Sequence, residues 1–394
     1  MFKTFHLKRF CSVVTSTVAL FVAAAPLVAH AQIAVIALEN KVVLDNGSVK
    51  TVVKPRPDGA ALLDLATSPP RLLAQVDLPS ATVLGPPTTV ALTPDASLAL
   101  IGSGQRADPA DATKLIDNDF VTILDLKSSP PKVLGTVVTG AQPTGIAVNP
   151  AGTLALVANR GDGTVSVLKI AGSKVEKLAQ LTLGKADSGP SGIVFTPDGK
   201  TALVTRDGDS IVSVLSIAGD AVAVDKRELV LGTRPYGITM APHGRWAAVA
   251  NIGRGSGDAD TVTLVDLTKS PVRGVETFTV GQTPEGIMAS PDGEHLAVVV
   301  MNGSNKPRAS PFYADNGLLQ IWRVGRGAAA KVAEAPVGHW SQGALFSNDG
   351  KSVVVMNMVE NELQAFAFDG ASLKETARIK VGGGPAAGRV AGVR

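Results

Sequence analysis

The chain has 394 residues, with 37 Lys and Arg against 34 Asp and Glu, a single cysteine and only 4% aromatic residues. One cysteine excludes a disulfide framework, a thiolate metal centre and covalently attached haem. The near balance of charge argues against a protein that binds nucleic acid or membranes through its overall field.

The first 31 residues predict a secretory signal peptide. Lys3, Lys8 and Arg9 precede an uncharged run over 11–28, and AHA (29–31) places small residues at the positions that a signal peptidase reads. We expect cleavage after Ala31, a periplasmic or secreted protein over 32–394, and no membrane contact after cleavage. The alternative is an uncleaved anchor, because the apolar run is about as long as a short spanning helix. The mature chain would carry 34 basic and 34 acidic residues and no cysteine.

Internal repeats follow. The strongest copies begin PTGIAVNPAGTLALVAN (143–159), PSGIVFTPDGKTALVTR (190–206), PYGITMAPHGRWAAVAN (235–251) and PEGIMASPDGEHLAVVV (284–300). Weaker copies lie at 41–53, 88–104 and 342–357. A turn position recurs every 45 to 57 residues, at Gly47, Ala96, Gly152, Gly199, Gly244, Gly293 and Gly350. A period of this length is typical of a repeat architecture.

Each copy predicts a four-stranded unit. The P-D-G type of turn suits a reversal, because Pro presets one dihedral and Gly accepts a positive φ. The flanking runs alternate and are β-branched, as in TVSVLKI (164–170), which is typical of strands. We therefore predict an all-β, seven-bladed propeller of four-stranded antiparallel blades as one domain over 32–394. Six or eight blades are the alternatives. The tail GGGPAAGRVAGVR partly restarts the motif, and 33–38 is a second candidate for the strand that closes the ring.

The repeats resemble the YVTN β-propeller family and, more loosely, the lactonase-like seven-bladed propellers. The tetrapeptide that names the family takes the forms LVAN (156–159), LVTR (203–206), AVAN (248–251) and VVMN (354–357). The lactonase resemblance implies a lactone hydrolase in which His339, Glu285 and an arginine activate water and hold a sugar acid. The chain departs from the P-R-H pattern of those enzymes, which GTRPYG and GHWSQG only approximate.

Propeller topology assigns the loops to two faces. The P-x-G turns lie on one face, so His243 is expected to be an inert turn residue there. The loops before each first strand and after each second strand lie on the other face, which also carries polar insertions at 103–118, 252–260 and 303–317. The ligand-binding candidates expected on this face are Arg160, Arg206, Arg234, Tyr236, Asn251, Arg254 and Trp340, and the catalytic candidates are His339 and Glu285.

Two interpretations of the arginines remain open. Guanidinium groups suit a carboxylate or phosphate, because they offer a bidentate fork. The alternative is that each arginine pairs with an acid of its own loop, such as Asp162, Asp207, Asp209 or Asp260. We expect no metal or cofactor, since the mature chain has only three histidines. A calcium site using Glu285 and Asn251 has no further support.

Three functions remain. The first is a non-catalytic binding or scaffold propeller for a small anionic ligand or a protein partner, acting as a monomer. The second is a hydrolase of a sugar-acid lactone. The third is nucleic-acid binding through basic loops, which the balanced charge and the few aromatic residues disfavour.

Overall fold

The structure, a computed structural model, describes residues 1–2, 32–111, 113–325 and 328–392. The predicted signal peptide lies outside these residues, apart from its first two. The described chain is almost entirely β-structure, with one 3-10 turn over Ala186–Ser188. None of its helical segments is long and apolar enough to cross a membrane.

The strands are short and follow one another closely along the chain. The first eleven are β1 (Ile33–Glu39), β2 (Val42–Asp45), β3 (Ser48–Thr51), β4 (Asp58–Asp64), β5 (Arg71–Leu78), β6 (Val90–Leu92), β7 (Leu98–Gly102), β8 (Gln105–Ala107), β9 (Leu115–Asp117), β10 (Phe120–Asp125) and β11 (Lys132–Val138). The next twelve are β12 (Pro143–Val148), β13 (Leu154–Asn159), β14 (Thr164–Ala171), β15 (Lys174–Thr182), β16 (Pro190–Phe195), β17 (Thr201–Arg206), β18 (Ile211–Ala218), β19 (Ala221–Leu229), β20 (Pro235–Met240), β21 (Trp246–Asn251), β22 (Asp260–Asp266) and β23 (Arg273–Gly281). The last nine are β24 (Pro284–Ala289), β25 (His295–Val300), β26 (Gly317–Val324), β27 (Ala329–Val337), β28 (Ser341–Phe346), β29 (Ser352–Asn357), β30 (Glu362–Phe368), β31 (Leu373–Lys380) and β32 (Gly384–Val390).

These strands form seven four-stranded antiparallel sheets, the blades of a propeller, as the repeats predict. Blade 2 consists of β6, β7, β10 and β11. Blades 3 to 7 are consecutive groups of four, from β12–β15 to β28–β31. Hairpins β2–β3 and β8–β9 are additions to this plan.

Blade 1 is assembled from both ends of the described chain. Its innermost strand is β32, which pairs antiparallel with β1, and β4 and β5 complete the sheet. The C-terminal tail and the segment 33–38 were the two candidates for closing the ring. Both take part, as the first and second strands of blade 1.

The first repeat was assigned wrongly. Gly47 was expected in the turn between the first two strands of a blade, but it lies in hairpin β2–β3, which is inserted between β1 and β4. The segment alternates and contains a glycine turn, so it satisfies the local pattern of a repeat. Its hairpin packs on the 303–317 loop, where Arg308 N donates to Asn46 Oδ1 at 2.9 Å.

Apolar layers between neighbouring blades hold the ring together. Seven buried clusters occupy the seven blade interfaces, and one of them joins blade 7 to blade 1 through Leu345, Met356 and Ile36. The residues are mainly Ala, Val and Leu of the second and third strands. Because each strand is buried on both faces, its sequence reads as a continuous apolar run such as LALVAN (154–159).

The turn at the end of each first strand needs a left-handed backbone. Gly152, Gly199, Gly244, Gly293 and Gly350 have φ between 67° and 72°, and Ala96 takes the same region with φ 54° in blade 2. These turns form the far face of the propeller, and His243 lies among them, exposed, as expected. We call the opposite face, which carries the loops before the first strands, the upper face.

Candidate functional site

One buried position recurs at the upper end of the inner strands. It is the residue between Pro (or Ser341) and Gly in each repeat, and it is less than 9% exposed in five blades: Thr144, Ser191, Tyr236, Glu285 and Gln342. The glycine that follows is required by close packing. A Cβ at Gly237 would lie 2.9 Å from the backbone oxygen of Glu285, and one at Gly192 would lie 2.7 Å from that of Tyr236. The P-x-G motif thus packs neighbouring inner strands together and brings these side chains to the mouth of the channel.

A charged cluster joins blades 3, 4 and 5 at this mouth. Asp207, buried after β17, is its centre: Arg160 contacts both carboxylate oxygens, with Nη2 at 3.0 Å from Oδ2, and Arg234 Nη2 also lies 3.0 Å from Oδ2. Ser191 Oγ lies 3.0 Å from Oδ1. Burial alone would raise the pKa of Asp207, but the hydrogen bond and charge of Arg160 hold it below its usual value. Two guanidinium groups therefore share one carboxylate, which leaves one net positive charge.

Glu285 of blade 6 lies beside this cluster and is 6% exposed. Burial raises the pKa of its carboxyl to about 8, although the charges of Arg160 and Arg234 oppose the change. Among the described residues, no side chain hydrogen-bonds to this carboxyl. Glu285 is thus protonated at neutral pH and close to the point where it can exchange a proton.

Tyr236 completes the cluster. Arg160 Cζ lies 5.8 Å from the centre of its ring, within the range of a cation–π contact. Burial raises the pKa of the Tyr236 hydroxyl well above its usual value, and the Glu285 charge adds to the effect. The hydroxyl is therefore a permanent donor.

In blades 3 to 7 the residue before the first strand has a left-handed backbone. Arg234 has φ 56° and Trp340 has φ 49°, and Gln142, Gly189 and Thr283 hold the same position with φ between 54° and 61°. Non-glycine residues rarely adopt this region, and such conformations cluster at functional sites.

A connecting segment over 84–87 crosses the mouth. A Cβ at Gly85 would lie 2.7 Å from Thr144 of blade 3. On the opposite side, a Cβ at Gly286 or Gly343 would lie 2.8 or 2.9 Å from Pro87 Cγ. The segment thus packs between inner strands on opposite sides of the ring.

An apolar cluster lies on the other side of the mouth. Val42 of hairpin β2–β3 packs there with Met301, Trp340, Met358 and Ala386. Trp340 was expected among the ligand-binding residues, but it is only 8% exposed and belongs to this cluster. The charged cluster around Asp207 lies on the blade 3 to 6 side of the mouth.

Arg206 was expected at the mouth, and the structure places it elsewhere. Its guanidinium bonds to Asp209, to Glu228 Oε1 at 2.6 Å and to Ser213 Oγ at 3.2 Å, toward the outer strands of blade 4. Arg206 is the last residue of β17, whereas Arg160 lies one residue past the end of β13. A shift of one residue along an extended chain reverses the side-chain direction, so the two arginines do not converge.

His339 does not meet Glu285. Its Nδ1 lies 2.7 Å from Glu360 Oε1 and its Nε2 lies 3.4 Å from Asp315 Oδ1, both in other loops. The charged groups that act on Glu285 are Arg160, Arg234 and Asp207. The expected pair for proton transfer is therefore separated in this structure.

Asn251 and Arg254 are also apart from the cluster. Asn251 is buried, and its amide donates to Thr261 and Thr263 Oγ1 at 3.1 and 3.0 Å, so it braces the second strand of blade 5 against the third. Arg254 is exposed in the 252–260 loop. A ligand-binding role for either stays a prediction that this placement does not favour.

The structure thus brings together Arg160, Arg234, Tyr236 and Glu285 of the predicted residues. It adds Asp207 and Ser191. Both arginines that pair with Asp207 belong to the two neighbouring blades, and neither lies in the loop of Asp207 itself. In the described residues no group of three or more His, Cys, Asp or Glu side chains is placed to hold a metal ion.

The fold and its mouth define a seven-bladed β-propeller with a charged cluster on one face. No family model and no curated protein matches the chain. Among solved structures it is similar to a provisional 6-phosphogluconolactonase of Bacteroides uniformis, with 19% identity, TM-score 0.69, 91% of this chain and 99% of that chain covered.

Two further solved structures are similar. A periplasmic gluconolactonase of Pseudomonas aeruginosa has 17% identity and TM-score 0.64, with 92% of this chain and 100% of that chain covered. The hydrazine synthase of Kuenenia stuttgartiensis has 20% identity and TM-score 0.61, with 79% and 91% covered. At such identities these likenesses establish the fold alone, and the fold hosts unrelated activities.

Proposed function

We propose that the protein hydrolyses a sugar-acid lactone at the charged cluster of the upper face. The observation that carries the proposal is the Glu285 carboxyl, buried beside two arginines with its pKa raised to about 8. A carboxyl of this kind can take and return a proton near neutral pH. The two lactonase-named relatives support the same substrate class.

The residues suit each step of ester hydrolysis. The ionised Glu285 removes a proton from water as its oxygen attacks the lactone carbonyl carbon. The negative charge then gathers on the carbonyl oxygen, where Arg160 and Arg234 supply fixed donors. The ring C–O bond breaks, Glu285 returns the proton to the departing ring oxygen, and the product acid loses its own proton to solvent. The Tyr236 hydroxyl is a donor that can bind a hydroxyl group of a sugar, while Ser191 holds Arg160 and Asp207 in place.

The test is hydrolysis of glucono-δ-lactone by the pure protein, corrected for the uncatalysed rate. Glu285→Gln should lower kcat by about 100-fold or more, because the proton carrier is lost. Glu294→Gln is the matched control, since Glu294 is exposed on the far face of the same blade. The wild-type rate should rise with pH toward about 8, as Glu285 ionises. Absence of enzymatic hydrolysis, or equal loss in both variants, would refute the proposal.

A binding role without catalysis is the second candidate. It is favoured by Asp207, which satisfies the guanidinium groups of Arg160 and Arg234 without a ligand. Binding of gluconate with no turnover of the lactone would support it.

Export and the relationship to the YVTN repeat family also stay proposals. The repeats at 156–159 and 248–251 support the family, and the basic, apolar and AHA segments of 1–31 support export. A periplasmic or secreted protein beginning at Gln32, found by N-terminal sequencing, would support export. Intact Met1 on membrane-bound material would contradict it.

A further inference from the structure

The far-face end of the central channel contains a cavity of about 490 Å³. Residues of all seven blades line it, at the ends of the inner strands and in the turns that follow. A cavity of this volume lies within the range of small-molecule sites. It is separate from the charged cluster, because Pro87 packs against the inner strands of blades 6 and 7 nearer the upper face.

One ladder position runs around this cavity. It is the fifth residue after the Pro (or Ser341) of the first-strand motif, and it pairs with the second strand, as Val148 pairs with Ala155 and Met240 with Ala247. Six blades place an apolar residue there: Leu92, Val148, Phe195, Met240, Ala289 and Phe346. In blade 1 the corresponding residue is Val390, and Arg389, which pairs with Val35, lies one residue before it. These seven residues and Arg389 all line the cavity.

Arg389 has no counter-ion in the described part of the chain. None of the ion pairs or side-chain hydrogen bonds there includes its guanidinium, and burial lowers the pKa of this group. The cluster on the upper face differs, since its two arginines share Asp207. The Arg389 side chain lines the cavity and is half-buried, and removing a guanidinium from part of its water without a partner is costly.

We propose that this cavity binds a monoanion with an apolar body, such as an aliphatic monocarboxylate, whose carboxylate pairs with Arg389. The single positive charge matches one negative charge, and the guanidinium can hold both carboxylate oxygens. The apolar ladder residues would pack on the chain of the ligand. This site lies outside the catalytic residues proposed above and does not depend on them.

The test is calorimetric titration of the pure protein with octanoate, octan-1-ol and acetate. Octanoate should bind with one site per chain. Octanol, which has the chain without the charge, and acetate, which has the charge without the chain, should each bind at least 10-fold more weakly. Failure of octanoate to bind at millimolar concentration, or equal binding of acetate, would overturn the proposal.

Two variants test whether Arg389 is the residue that binds the carboxylate. Arg389→Met installs the side chain that Met288 has at the corresponding position of blade 6, so it should fold, which its melting curve checks. It should weaken octanoate binding by about 10- to 100-fold, the effect of one charge-assisted pair. Arg245→Met is the matched control, because Arg245 is exposed on the same face, and it should leave binding unchanged. Undiminished octanoate binding by a folded Arg389→Met would overturn the proposal, and unchanged lactone hydrolysis in this variant would separate the two sites.

Discussion

The two ends of the channel each present one net positive charge, but they hold it differently. At the upper face, Arg160 and Arg234 share Asp207, and the nearby Glu285 remains protonated at neutral pH. At the far face, Arg389 lies among apolar residues with no partner in the described chain. The upper charge is fixed in place by its network, which suits catalysis. The charge of Arg389 at the far face has no counter-ion in the described chain, which suits binding of an anionic ligand.

The largest expected effect is on the upper network. Asp207→Asn removes the carboxylate that two arginines share, so we expect the free energy of unfolding to fall by about 3–5 kcal/mol. Denaturant unfolding measures the change. Asp209→Asn is the control, because Arg206 keeps Glu228 and Asp209 is partly exposed, and it should cost less than about 1 kcal/mol. Equal losses would mean that the Asp207 network is no better ordered than a surface pair.

The second effect depends on pH. The folded pKa of Glu285 is about 8, above its value of 4.5 in an unfolded chain, so the unfolded state releases this proton first. Stability should therefore fall as pH rises from 4.5 to 8, by about 2–3 kcal/mol between pH 5.5 and 7.5.

Glu285→Gln isolates this contribution, because the amide does not titrate. The difference in unfolding free energy between wild type and variant should change across that interval, whereas the same comparison with Glu294→Gln should stay flat. A constant difference for Glu285→Gln would show that its carboxyl titrates normally, and the two ends of the channel would then differ less than we infer.

The third effect is an increase in the free energy of unfolding, and it concerns the far-face end of the channel. Without ligand, Arg389→Met should raise the free energy of unfolding by about 1–2 kcal/mol, since an unpaired guanidinium is replaced by an apolar side chain. Thermal melting measures it, and Arg245→Met should change stability by less than about 0.5 kcal/mol. Destabilisation by Arg389→Met would indicate that the guanidinium already has a partner.

The smallest effect concerns the upper rim. Arg254 is exposed and contacts neither Asp207 nor Glu285, so Arg254→Ala should leave stability within about 0.5 kcal/mol of wild type. It should also leave the rate of lactone hydrolysis unchanged. A marked loss of rate would extend the upper site to the 252–260 loop.

The repeats in the sequence were enough to predict the fold, because strands, turns and close-packed glycines recur locally in each blade. The position of Arg160, Arg234, Tyr236 and Glu285 at one mouth followed from the same register. Arg206 was misplaced because LVANR and LVTRD differ by one residue in where the arginine falls, and only the pairing of β17 fixes its direction.

Other features depend on contacts between distant segments. Asp207 pairs across blades, and His339 finds its carboxylates in other loops. Arg389 gains its ladder position only from pairing with β1, which lies some 350 residues earlier in the chain. The degenerate repeat at 41–53 was assigned wrongly because a short inserted hairpin has the same local chemistry as a blade turn.

The shared construction of blade 1 has a consequence for biosynthesis. Strand β1 is among the first segments of the propeller to be synthesised, but its inner partner β32 comes among the last. At about 5–20 residues per second, the apolar edge of IAVIALE (33–39) stays without that partner for roughly 20–70 s. Completion of the ring must therefore wait for the synthesis of β32, and a nascent chain stalled before residue 384 would expose an open strand edge to chaperones, proteases and other copies of itself.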